Sequence, residues 1–132
     1  MFTLSVITPL KKTFEGEVEY LQALGTDGLF GVLSHHAPII AALKFGSLRV
    51  RLPDGKETVF CVGDGLFEMF ANHAHVMVNT AEAAGEIDVA RAEAARDRAG
   101  KRLSEKSPDT DLDRARAALY RALTRLQVAG RT

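Results

Sequence analysis

Two pairs of residues carry the chemistry this chain can offer. Asp88 and Arg91 stand one helical turn apart in Ile87-Asp88-Val89-Ala90-Arg91-Ala92, and Arg121 and Arg125 stand one turn apart farther on. Three guanidiniums gathered without enough carboxylates repel one another. A polyphosphate relieves that repulsion through charge-assisted, often bidentate bonds. Each pair also has a plainer reading: Asp88 suits a helix N-cap with Arg91 beside it as a surface ion pair, and Arg121 with Arg125 suits a solvated basic stripe. The two readings separate only if the fold brings the start of one segment to the end of the other.

The elements around them are helical. From Gly85 onward the chain is rich in alanine and charge, and Ala92, Ala95, Ala99 and Leu103 recur at steps of three and four. A first helix is predicted from about Asp88 to Leu103 or Ser104. Ser107-Pro108 breaks it, and Asp109-Thr110-Asp111 caps a second helix over about 112–129. Leu112, Ala115, Leu119, Ala122, Leu126 and Ala129 form its seam. The short connection predicts antiparallel neighbours, so Arg91 is expected to face Arg121 and Arg125. A seam made mostly of alanines closes tightly and holds weakly, because a buried methyl contributes only ~0.8 kcal/mol. The hairpin is therefore expected to open for a better partner.

Residues 1–84 read differently. Short alternating apolar runs recur between turns: Phe2-Leu4-Val6, an extended region from Phe14 to Leu24, Leu29–Leu33, Ile39–Phe45, Leu48–Leu52, Glu57–Val62, Leu66–Phe70 and His73–Asn79. Gly25-Thr26-Asp27-Gly28, Pro53-Asp54-Gly55 and Gly63-Asp64-Gly65 punctuate them, and Ser34-His35-His36-Ala37-Pro38 is a loop. Strands at this spacing predict an antiparallel β-sandwich over 1–84, followed by the helical hairpin over 85–132.

Composition excludes several classes. Formal net charge is zero, which disfavours a nucleic-acid binder, and few aromatics are placed for stacking. Residues 1–84 hold six Lys/Arg against nine Asp/Glu, residues 85–132 eleven against eight, and five arginines with no acid follow from Arg114. No signal-peptide pattern opens the sequence and no apolar run nears the ~20 residues of a membrane span, so membrane association is expected only through a partner. His35-His36 and His73-x-His75 lack an acid or Cys at zinc-like spacing, so no metal site is expected. Cys61, within Val59-Phe60-Cys61-Val62, reads as a core residue. There is no Walker-type loop and no nucleophile–base pairing, so the chain is not expected to be an enzyme by itself.

Taken together, these residues resemble the epsilon subunit of the bacterial F-type ATP synthase along the whole chain. The resemblance rests on Gly28-x-x-Gly31-Val-Leu-Ser-His-His36-Ala-Pro38, on Gly63-Asp-Gly65-Leu-Phe-Glu68, and on Ile87-Asp88-Val-Ala-Arg91-Ala92, which matches the family's Ile/Leu-Asp-x-x-Arg-Ala pattern at every fixed position. It implies a rotor subunit of the central stalk whose β domain docks on the gamma subunit and the c-ring. It also implies a hairpin that ATP, as a regulatory ligand, holds folded. Without ATP the hairpin extends toward the catalytic alpha/beta hexamer and blocks hydrolysis. By the same resemblance Glu82, Ile87, Asp88 and Ala92 surround the adenosine, Arg91, Arg121 and Arg125 neutralise phosphates, and Arg98 falls at a family arginine position. The loop with Gly28, Gly31, His35, His36 and Pro38 touches the rotor ring. The implied location is the cytoplasmic side of the bacterial plasma membrane. Many members carry Pro-Gly where this chain has Ser34-His35. The alternative within the family is a rotor subunit that scarcely senses ATP.

Overall fold

A computed structural model describes residues 1–105 and 107–130. It divides into two compact units, Met1–Ala83 and the part from Ala84 onward. Arg131, the last of the five carboxyl-terminal arginines, lies outside the described residues.

The first unit holds ten strands: β1 (Phe2–Ile7), β2 (Lys12–Val18), β3 (Tyr20–Gly25), β4 (Gly28–Leu33), β5 (Ile39–Leu43), β6 (Gly46–Arg51), β7 (Glu57–Val62), β8 (Gly65–Phe70), β9 (His73–Val78) and β10 (Ala81–Ala83). Their order is β10-β7-β6-β3-β5-β8-β9-β1-β2, with β4 on β3. β3 and β5 meet through a single pair, Gly25 with Leu43. That corner lets one half of the strands fold over the other, as a sandwich requires. The extended region from Phe14 to Leu24 is two strands parted at Glu19, since β2 pairs with β1 while β3 pairs with β6 and β4. One pairing departs from the antiparallel expectation: β1 runs parallel to β9. The two are far apart in sequence, so no hairpin dictates their relative direction.

Alternation predicts the core well. Ala74, Val76 and Val78 of β9 are buried, as are Leu48 and Val50 of β6 and Phe2, Leu4 and Val6 of β1. They join Phe67 and Met69 of β8 in one cluster. Cys61 is buried, in keeping with a core role. Gly65 begins β8 opposite Val78. A Cβ there would run into the Met77 carbonyl oxygen and the Val78 backbone. This explains the glycine at 65 without invoking a ligand.

The second unit opens with a 3-10 turn, Ala84–Glu86, followed by α1 (Val89–Glu105) and α2 (Leu112–Val128). α1 runs slightly past the predicted end. Asp111 caps α2, its side chain accepting from the Arg114 N–H at 3.1 Å. A turn from the Thr110 N–H to the Ser107 carbonyl shortens the connection. Each helix has 17 residues, hence is about 25 Å long, and so short a link cannot run back along that length to make the helices parallel. Ala92 and Ala99 of α1 and Ala115, Ala122 and Leu126 of α2 are buried. Leu126 is the one large seam side chain that is fully buried, and Leu103, Leu112 and Leu119 are half-buried. No helix among the described residues is long and apolar enough to cross a membrane.

Gly65→Ala is expected to destabilise the first unit by about 1–3 kcal/mol, because backbone rather than a flexible side chain must move. Urea unfolding followed by a β-sheet signal measures it, and an unchanged midpoint would show that β8 and β9 approach less closely.

Candidate functional site: the arginine flank of the hairpin

The Ile87-Asp88-x-x-Arg91-Ala92 segment is first of all a helix start. Asp88 is the N-cap: its Oδ1 accepts the Arg91 N–H at 3.1 Å, and its carbonyl accepts the Ala92 N–H at 3.0 Å. Ile87 and Ala92, the residues before the cap and four after it, are both buried. These are the positions of a hydrophobic staple, which fixes how the chain enters a helix. Three of the four fixed motif residues therefore have structural work. The exposed Arg91 side chain has none that the helix start requires.

Helix periodicity then relates the arginines. Arg91 precedes the buried Ala92, Arg98 precedes Ala99, Arg114 precedes Ala115, Arg121 precedes Ala122 and Arg125 precedes Leu126; Arg102 precedes the half-buried Leu103. Successive residues step about 100° around a helix, so each of these arginines lies the same angle to one side of the seam. In two antiparallel helices an equal offset points to the same side of the pair. All six therefore line one flank of the hairpin. Along its length the start of α1 lies beside the end of α2, which puts Arg91 level with Arg125, with Arg121 one turn in toward Arg98. Arg102 and Arg114 lie toward the connecting end.

Few carboxylates neutralise this flank. Among the described residues, ion pairs within the hairpin join Arg96 to Asp97, Lys101 to Glu105 and Arg116 to Asp113, and Arg125 has a partner of its own. Among the described residues no ion pair involves Arg91, Arg98, Arg102, Arg114 or Arg121. Asp88 and Asp111, each three residues before a flank arginine, have Oδ1 engaged as N-caps, and Glu105, three residues after Arg102, is paired with Lys101. Arg125 is half-buried and Arg121 exposed. Two unit charges about 10 Å apart in water repel by roughly 0.4 kcal/mol, less in salt. Each arginine rung thus offsets about half of what one buried alanine methyl contributes.

Glu82 is not on the hairpin. It stands in β10 opposite Cys61 of β7, half-buried. The loop residues form a separate surface. Gly28 opens β4 with a φ of 125°. Gly31 lies under the Tyr20 ring, where a Cβ would come 2.6 Å from the Tyr20 Oη. Arg51 covers that ring from 5.4 Å. Ser34–Pro38 follows, with the His36 N–H donating to the Leu33 carbonyl at 3.2 Å. His35 has a φ of 62°, the left-handed region that glycine enters most easily.

Sequence reasoning missed the surface beside that loop. On β8, Phe67 and Met69 point into the core, so Leu66, Glu68 and Phe70 point out. Ile40 of β5 pairs with Glu68, and Met77 of β9 with Leu66. Ile40 is 73% exposed, Phe70 64% and Leu66 47%. Pro38, Ile39, Ile40, Glu68, Met69 and Phe70 line an open depression of about 500 Å³. The available signal was Leu66–Phe70 itself, which is apolar at both parities save for Glu68, as a strand buried on both faces would be.

A β-sandwich followed by an antiparallel hairpin with one cationic flank defines a two-domain protein of mixed β and α structure. Two family descriptions cover it: the beta-sandwich domain of the ATP synthase delta/epsilon chain matches residues 1–84, and the long alpha-helix domain of the same chain matches 86–130. An ATP synthase epsilon chain of Pelotomaculum thermopropionicum is 49% identical over 96% of this chain and 94% of its own length. That of Syntrophobacter fumaroxidans is 43% identical over 98% and 96%. A chain in the cryo-EM structure of the Euglena gracilis mitochondrial ATP synthase has the same fold, with a TM-score of 0.71 at 20% identity over 97% of this chain and 76% of that one. The protein belongs to the ATP synthase epsilon-chain family.

Substitution at Asp88 separates capping from ligand contact. Asp88→Ala is expected to cost about 1 kcal/mol of hairpin stability, and Asp88→Ser to restore most of it. Helical circular dichroism during unfolding measures both; equal losses in the two variants would contradict a capping role.

Proposed function

We propose that this chain is a non-catalytic central-stalk subunit of a proton-translocating F-type ATP synthase. Its β domain couples the gamma subunit to the c-ring, and its hairpin restrains ATP hydrolysis when extended and is held folded by ATP. Family membership supports the stalk assignment. The outward apolar strip of β5, β8 and β9 beside the Ser34–Pro38 loop supports protein docking, since contiguous exposed apolar surface marks an interaction site. The chain then sits peripherally on the cytoplasmic side of the bacterial plasma membrane, held there by the complex.

The observation that carries the ATP reading is the arginine flank. It gathers like charge where the start of α1 meets the end of α2, over a seam too thin to hold it strongly. A triphosphate between Arg91, Arg121 and Arg125, with Arg98 near, replaces repulsion with charge-assisted bonds that bridge both helices. Ligand that binds only the closed hairpin stabilises it by mass action. When ATP is scarce the hairpin opens, and the same arginines meet acidic segments of the alpha/beta hexamer. Asp88, Ile87 and Ala92 favour a second reading, because capping and burial account for them without nucleotide. In that reading the subunit couples the rotor and senses ATP little.

Thermal unfolding followed by the helical signal decides between them. Millimolar ATP is expected to raise the midpoint of the wild type, by about 2.7 kcal/mol of stabilisation at a hundredfold excess over Kd. Arg91→Ala is expected to lose most of that shift. No shift in the wild type removes the ATP sensor and leaves the coupling subunit.

A further inference from the structure

The turn between β8 and β9 is only two residues, Ala71 and Asn72, with φ of 51° and 64°. Phe70 pairs with His73 across it. This is the conformation of a type I′ hairpin turn, in which both central residues are left-handed. Asparagine tolerates that region better than most residues, so backbone geometry alone accounts for Asn72 as a turn residue. Its side chain does more. The Asn72 Nδ2 donates to the Met1 carbonyl at 2.8 Å, and Oδ1 accepts the His35 N–H at 2.8 Å. Only this orientation of the carboxamide satisfies both partners. The Asn72 carbonyl also accepts the Thr3 N–H at 3.2 Å. The Met1 carbonyl takes a second bond, from the Ser34 Oγ at 2.9 Å. One carboxamide thus ties three segments that are distant in sequence: the chain leading into β1, the Ser34–Pro38 loop, and the β8–β9 turn.

The tie meets the loop at its costliest point. His35 is the loop residue at positive φ, and its N–H is the one Asn72 accepts. A left-handed non-glycine residue persists only where its surroundings over-determine it. We propose that Asn72 is a positioning residue for the docking surface: its carboxamide holds His35 left-handed and presents His36–Pro38 beside the Ile40–Phe70 strip in a form ready to dock. This rests on the reading of that loop as the rotor contact. A preorganised loop loses less freedom on binding, so removing the tie weakens docking even where the fold is unchanged.

Two variants test this in the full chain. Asn72→Gly keeps the left-handed turn and removes the carboxamide. Asn72→Asp keeps the acceptor for the His35 N–H and removes the donor to Met1. In Asn72→Gly, solvent exchange of the His35 amide measured by NMR is expected to quicken about fivefold, as for one lost hydrogen bond, with the unfolding midpoint close to wild type. Capture by a detergent-solubilised c-ring carrying its gamma subunit is expected to weaken by a similar factor. Asn72→Asp is expected to keep the amide protected and recover most of the capture. Unchanged exchange in Asn72→Gly overturns the tie, and faster exchange with unchanged capture overturns its role in docking. Failure of the wild type to be captured at all instead contradicts the rotor reading.

Discussion

The carboxyl-terminal unit is governed by a contest between a thin apolar seam and a flank of like charge. Four alanines and one leucine are buried between two helices that place six arginines on one side. Neither term is large. Helix propensity is high along both segments, which favours helix retention should the two separate. What the seam decides is whether they lie together. On the proposed reading, a small electrostatic change at the arginine flank acts on the hairpin angle more than on secondary structure. That is the condition for a two-state element that a ligand can bias.

The amino-terminal unit shows the opposite balance. Its core gathers large side chains such as Phe2, Leu4, Leu21, Phe67 and Met69, all nearly inaccessible to solvent. Close backbone approach at Gly65 and ring-over-glycine packing at Gly31 leave few alternatives. The docking proposed for this unit would gain from such rigidity. One chain thus carries a densely packed sandwich and a thinly packed hairpin.

Much of this is legible in the sequence. Alternation in β1, β6 and β9 gives the buried faces, and steps of three and four give the helix seam. The Ser107–Asp111 cluster gives the break and the second cap. What is not legible depends on partners distant in the chain. Ala81–Ala83 has no strand-forming residues and is a strand only because β7 offers it an edge. The parallel β1–β9 pair and the break at Glu19 are likewise set by tertiary pairing. Asn72 reads as an ordinary turn residue, and only the fold puts Met1 and His35 within its reach. Of the site, the Asp88 cap was readable outright. The shared flank needed one more fact, the identity of the buried seam residues. Once Ala92, Ala99, Ala115, Ala122 and Leu126 are known to be inside, the arginine before each one falls into place.

On the proposed reading, the hairpin closes only weakly by itself and firmly around a triphosphate. Spin labels at Glu93 and Gln127, away from the arginine flank, report the separation of the start of α1 from the end of α2. Pulsed electron resonance is expected to give a broad distance distribution without nucleotide, collapsing to one short distance in saturating ATP. A single short distance in both conditions would contradict the account, because the seam would then be sufficient and the arginines irrelevant to closure.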